Sequence, residues 1–160
     1  MIRFLVCYLI MLLLPLTTIN GQMASLVKNP QINKLPVRSV HCLLLDSEGY
    51  LWSGTVNGLC RDDGYNVQVF RNDYLHPQPL KSNIILSITE DSLHHILFGT
   101  PNGAFCIDKS DYKVVPLFPE TLGEKSVKTL HTAADGTVFV RTNTEGFIIN
   151  GQHISEVPIA

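Results

Sequence analysis

The sequence predicts an all-β chain assembled from about three copies of one four-stranded antiparallel unit. Three observations carry that expectation. Residues 51–59 read LWSGTVNGL, and residues 96–104 read ILFGTPNGA, so the chain writes nearly the same phrase twice. Each copy breaks into short apolar runs separated by Gly, Asn and Asp turn signals, and no stretch beyond the N-terminal leader has a convincing helical period. Hydrophobic residues make up 45% of the chain and charged ones 16%, enough apolar side chains for a packed core.

Residues 1–22 stand apart. MIRFLVCYLIMLLLPLTTINGQ has one basic residue, Arg3, an apolar run from Phe4 to Leu14, and a mostly polar exit. The run is shorter than the roughly 17–25 residues a membrane-spanning helix needs. Basic start, apolar middle and polar exit are the parts of an export signal peptide. An uncleaved membrane anchor is the rival reading. Residues 23–34 form a lead-in, and the repeated part follows as 35–79, 80–122 and an incomplete 123–160.

Within the first copy, Val40–Leu45 reads as a strand that ends at the turn Asp46-Ser47-Glu48-Gly49. Tyr50–Thr55 reads as a second strand, and Asn57-Gly58 as a tight hairpin whose residues tolerate positive φ. Leu59–Arg61 and Asn66–Phe70 complete four strands. In the second copy Asp91, Gly99, Thr100 and Gly103 repeat Asp46, Gly54, Thr55 and Gly58. A weaker third copy aligns Gly136 with Gly49, Phe139 with Trp52, Thr142 with Thr55 and Gly146 with Gly58. Four short antiparallel strands per repeat of this length make a β-propeller blade. The expected architecture is therefore a partial β-propeller, about three blades of a longer, seven-bladed ring. A ring completed by several chains is the alternative.

The repeated residues have structural jobs in such a unit. Gly54 and Gly99 lie inside strands, where a missing Cβ admits a neighbour. Trp52, Leu97 and Phe139 hold equivalent positions suited to packing between blades. Asp46 and Asp91 are expected to cap the same turn in successive blades.

Charge and motifs exclude much. Lys and Arg total 12 against 14 Asp and Glu, for a net charge of −2, so no basic surface for nucleic acid is expected. No GxSxG, HExxH, P-loop or CxxC occurs, so no catalytic site, cofactor or metal site is assigned. His94-His95 is a tempting metal pair, but adjacent strand residues point to opposite faces, and a solvated turn explains it better. Beyond the leader, Cys42, Cys60 and Cys106 read as buried small hydrophobes. A Cys60–Cys106 bridge between neighbouring repeats stays open.

The first copy, VHCLLLDSEGYLWSGTVNGL from Val40 to Leu59, resembles the two-component regulator propeller repeat. The second, ILSITEDSLHHILFGTPNGA, departs from that pattern at His94, where the turn glycine is lost, and at Leu97, where the tryptophan is lost. The third has Ala133 for the Asp and Arg141-Thr142 for Gly-Thr. The resemblance implies the exported, periplasmic sensor region of a hybrid two-component histidine kinase and response regulator of the Bacteroidetes type. It implies a parent anchored in the inner membrane, further blades, a homodimeric full-length sensor, kinase chemistry in modules outside this stretch, and oligosaccharides as the sensed ligand.

Ligand contact is expected on the connections between blades. The first, NDYLHPQPLKS, offers Tyr74 and His76, and an aromatic ring there suits stacking on a sugar. The second, PLFPETLGEKS, offers Phe118 and Glu120 less strongly. The competing function is an exported propeller enzyme acting on glycans, a lyase or glycosidase. A glycosidase needs paired carboxylates at catalytic spacing, and none stand out.

Overall fold

A computed structural model describes residues 39–75 and 78–158; the signal-peptide and lead-in readings, and His76, lie outside the described residues. Three four-stranded antiparallel sheets follow one another along the chain. Blade 1 comprises Val40–Leu45 (β1), Leu51–Thr55 (β2), Gly58–Asp62 (β3) and Val67–Phe70 (β4). Blade 2 comprises Ser87–Glu90 (β5), Ile96–Thr100 (β6), Gly103–Ile107 (β7) and Val114–Leu117 (β8). A single helical turn, Pro119–Leu122 (α1), leads into blade 3, which comprises Thr129–Thr132 (β9), Val138–Arg141 (β10), Gly146–Asn150 (β11) and His153–Val157 (β12).

Each blade is an up-and-down meander in which every strand pairs with the next. The first strands of successive blades, β1, β5 and β9, adjoin one another. This is the radial stacking of a β-propeller. Helix α1 was not foreseen. Proline at its start pre-sets φ for a helix, and Gly123 closes it with an N–H bond to the Pro119 carbonyl. One turn is too short to leave a 3.6-residue period in a sequence.

The hairpin between β2 and β3 differs in detail from the expectation. Thr55 pairs directly with Gly58, so Val56 and Asn57 are the loop, and only Gly58 takes positive φ, at +118°. The same holds at Gly103, at +109°. The threonine before each loop explains its repetition. Thr55 Oγ1 donates to the Gly58 carbonyl (2.8 Å) and accepts the Asn57 N–H (3.0 Å). Thr100 makes the same pair of bonds to Gly103 and Asn102, and Thr142 makes them to Glu145. These hydroxyls are buried, so each must be satisfied locally, and each is.

Two apolar cores lie between blades. Trp52, Leu59 and Phe70 of blade 1 pack with Ile88, Ile96, Phe98, Phe105 and Ile107 of blade 2. Leu97 and Ala104, on blade 2's other face, pack with Leu130, Val138, Val140, Phe147 and Ile149 of blade 3. Phe139, aligned with Trp52 and Leu97, lies on blade 3's far face and is 44% exposed. Gly54 and Gly99 sit where the next blade arrives. A Cβ on Gly54 would stand 2.8 Å from Ile85 Cγ2, and one on Gly99 would stand 2.6 Å from the Val127 carbonyl oxygen.

The two contacts predict a graded result. Gly54→Ala meets side-chain atoms that can shift, whereas Gly99→Ala meets backbone. Gly99→Ala is expected to cost about 1–3 kcal/mol and more than Gly54→Ala, read from urea unfolding of the two variants.

Candidate functional site

In blades 1 and 2 the turn between the first two strands places an aspartate carboxylate at the seam with the next blade. Asp46 Oδ1 accepts the N–H groups of Glu48 (3.0 Å) and Tyr50 (2.9 Å). Asp91 Oδ1 accepts those of Leu93 (2.9 Å) and His95 (2.8 Å). His94 occupies the position of Gly49 and keeps its left-handed backbone, with φ +65° against +88°. Histidine is among the residues that tolerate this region.

At the seam of blades 1 and 2 the second oxygen of Asp46 accepts the Trp52 indole N–H at 2.9 Å and the Lys109 ammonium at 3.1 Å. Lys109 reaches across from blade 2 and also bonds Glu90 at 2.7 Å, with its side chain only 7% exposed. Burial works to raise the Asp46 pKa, but the indole, the Tyr50 N–H and Lys109 together hold it below 3.8. Burial likewise opposes ionisation of Glu90, yet Lys109 and Ser47 hold its pKa below 4.5. Lys109 itself is raised, because the two carboxylates outweigh its desolvation.

Ser47, His94 and Glu90 stand close enough to suggest a hydrolytic triad. Ser47 Oγ lies 3.0 Å from His94 Nδ1 and 2.7 Å from Glu90 Oε1. In a working triad the histidine meets serine and carboxylate through different ring nitrogens. Here the same Nδ1 faces both, at 3.4 Å from Glu90 Oε1, and the serine hydroxyl bonds the carboxylate. The arrangement clamps two blades and activates no nucleophile.

His95 turns away from His94 and pairs with Asp91 Oδ2 at 3.0 Å. Among the described residues no group of three or more metal-ligating side chains converges. Cys42, Cys60 and Cys106 are free thiols, each pushed up to about 11 chiefly by burial. A Cys60–Cys106 bridge does not form. Strand register puts Cys60 beside Ser53, on blade 1's face away from blade 2, while Cys106 lies beside Leu97 and faces blade 3.

Of the residues expected to meet ligand, Tyr74 is fully exposed. The base of its connection is clamped: Asn72 N–H donates to Asn83 Oδ1 (2.8 Å), and Asn83 Nδ2 donates to the Asn72 carbonyl (2.9 Å). Phe118 is partly buried against the second core instead of facing solvent. Glu120 is exposed on the first turn of α1.

Sequence reading missed the Ser47, Glu90 and Lys109 cluster and a cleft of about 620 Å³ between blades 2 and 3. A signal for such pairs does exist. Ser47 with Glu90, Thr89 with Thr132, and Lys81 with Glu124 all bond at a separation of 43, about one repeat length. Residues one period apart face each other across a seam.

Residues 34–57 match the family model described as two component regulator propeller. Blade 1 carries a two-component regulator propeller repeat. Several solved structures are similar to the chain. Virginiamycin B lyase from Staphylococcus aureus shares 20% identity at a TM-score of 0.62, covering 78% of this chain and 43% of the lyase. A protein described as the extracellular domain of a one component system from B. thetaiotaomicron shares 19% identity at a TM-score of 0.63, covering 79% of this chain and 17% of that domain. A streptogramin B lyase shares 18% identity at a TM-score of 0.58, covering 75% of this chain and 40% of the lyase. The chain thus spans less than half the length of each, and likeness at these identities establishes the propeller fold. No curated protein sequence matches the chain. Among the described residues, no helix is long and apolar enough to cross a membrane.

The buried cation at the first seam sets a pH-dependent expectation. Removing it by Lys109→Met leaves Asp46 and Glu90 ionised without their shared buried cation, a loss of about 3–5 kcal/mol at pH 7. Both carboxylates have depressed folded-state pKa values, so the stability they contribute is present at neutral pH and lost as pH falls through those values. The Lys109→Met penalty is therefore expected to shrink on acidification below about pH 4, measured by denaturant unfolding at pH 7 and pH 3.

Proposed function

We propose that the chain supplies blades of an exported, periplasmic ligand-sensing propeller in a hybrid two-component regulator, and that the sensed ligand is an oligosaccharide. The observation that carries the reading is the two component regulator propeller match over residues 34–57, on a chain folded as three successive blades. Likeness to the extracellular domain of a one component system supports an exported sensing role. Further blades, an inner-membrane anchor, the kinase modules and a dimeric full-length sensor belong to this proposal as parts outside the described residues.

The ligand class rests on Tyr74. Its connection is held at its base by the Asn72 and Asn83 pair, while its ring stands wholly in solvent beside Leu75, which is 80% exposed. A loop tied at its base with an exposed aromatic beyond it is suited to stacking on a sugar face, because the ring offers an unobstructed apolar surface with a polar tip. Among the described residues, the Ser47, His94 and Glu90 group is wired as a clamp and Lys109 neutralises the carboxylates Asp46 and Glu90, an arrangement that favours binding over the lyase reading.

Titrating a panel of oligosaccharides into the protein, with product analysis of the same mixtures, tests the proposal. Binding without cleavage is expected, weakened about tenfold (~1.4 kcal/mol) by Tyr74→Ala. Cleavage of any glycan, or binding indifferent to Tyr74, would overturn it.

A further inference from the structure

The two seams between blades share one backbone plan but are filled differently. Register in blade 1 lines up Trp52, Arg61 and Gln68 across β2, β3 and β4, with Phe70 next on the same face. Trp52 and Phe70 stack at 5.7 Å, and the Arg61 guanidinium lies over the Tyr50 and Tyr112 rings at 4.6 and 4.3 Å. In blade 2 the same register lines up Leu97, Cys106 and Val115, with Leu117 in place of Phe70 and His95 in place of Tyr50. Every one of these five positions carries a smaller side chain than its counterpart. The missing volume is not made up from blade 3. It remains as the cleft of about 620 Å³, lined by Asp91, His95, Leu97, Cys106, Val115 and Leu117 among others.

The hydrogen-bonding capacity left behind is as specific as the space. Asp46 Oδ2 accepts two donors, the Trp52 indole N–H and the Lys109 ammonium. Asp91 Oδ2 has one partner among the described residues, His95 Nδ1, because the Leu97 side chain carries no N–H donor and Gln152 stands where Lys109 would. A carboxylate oxygen with a free lone pair, at the end of an apolar slot, awaits a donor on a flat apolar body.

From this comparison we infer that the cleft between blades 2 and 3 is a binding site for a small planar aromatic molecule bearing an N–H donor. The ligand occupies the place that Trp52 fills at the other seam, its ring against Leu97, Val115 and Leu117 and its N–H on Asp91 Oδ2. The blade 1 seam is the template, with an indole in that position at 2.9 Å from the equivalent carboxylate. The site is separate from the Tyr74 loop and stands whether or not the chain serves a regulator.

Indole and indene, which differ in the N–H, serve as probes for the full chain, with binding followed by titration calorimetry and by amide shifts in NMR. Saturable indole binding is expected, with shifts at Asp91, Leu97, Cys106 and Val115, and indene at least about tenfold weaker. Leu97→Trp, which rebuilds the blade 1 filling from within, is expected to abolish binding and raise the unfolding midpoint. Should Leu97→Trp fold poorly, Val115→Tyr at the exposed mouth of the cleft is expected to weaken binding at least tenfold. Absence of saturable binding, equal affinity for indene, or indifference to the cleft variant would overturn the assignment.

Discussion

The arrangement of this molecule depends on how each sheet receives the next. Thr55 and Thr100 turn their carbonyls outward from the ends of β2 and β6. Each accepts the N–H of the residue that enters the following blade, Ile85 and Val127, at 2.9 Å. One residue earlier along each strand a glycine leaves the space in which that entering β-branched side chain sits. The hydrogen bond fixes distance and the glycine fixes depth. With both in place, the blades can approach closely enough for their faces to form one dry core, and burial of that apolar surface supplies the main stabilisation. A side chain at either glycine would separate the sheets and weaken the threonine bond at the same time.

Much of this was legible in the sequence, for a definite reason. Gly54-Thr55 and Gly99-Thr100 recur because each residue answers a demand of backbone geometry, and backbone demands repeat with the blade. The aspartates at 46 and 91 recur for the same cause, since both hold the N–H groups of an identical turn. His94 shows how far such a demand reaches: the glycine is gone, but the chain still adopts the left-handed turn there. The Asn57-Gly58 signal lies one residue out of step with the loop itself, because Val56 and Asn57 span it and the threonine hydroxyl holds it.

What stayed hidden arises between blades. Lys109 gives no sign in one dimension that it will lie buried among Asp46 and Glu90, since its partners are 63 and 19 positions away in sequence (109 − 46 and 109 − 90). Leu97 reads as an ordinary departure from a repeat. Only the register shows that Cys106, Val115 and Leu117 are reduced along with it, so that four losses on one face open a single space. A repeat pattern marks the positions that geometry requires and says little about the positions at which two adjacent faces must complement each other. Those second positions are where a propeller differentiates one seam from another, and they are the natural place for a binding site.

The two outward faces extend the same reasoning. Blade 1 presents Leu43 and Leu45, 63% and 69% exposed, with Val40 half-exposed at the position equivalent to Ile85 and Val127. Blade 3 presents Phe139 together with His131 and Arg141. Arg141 occupies the place of Gly54 and Gly99, pairing with Thr129 as those glycines pair with Cys42 and Ser87. If copies of this chain joined head to tail, Val40 of one would meet the Arg141 side chain of the other where Ile85 and Val127 meet none. The seam would lack the depth that a glycine provides, and a guanidinium would be pressed toward the apolar Val40 end of that face, with Asp62 at the opposite end of the sheet. Desolvating that charge is costly, so a ring closed by identical copies is disfavoured. A neighbour suited to blade 3 needs a small or acidic residue opposite Arg141, and a neighbour suited to blade 1 needs an apolar face with a glycine for Val40. No one surface of these three blades meets both descriptions.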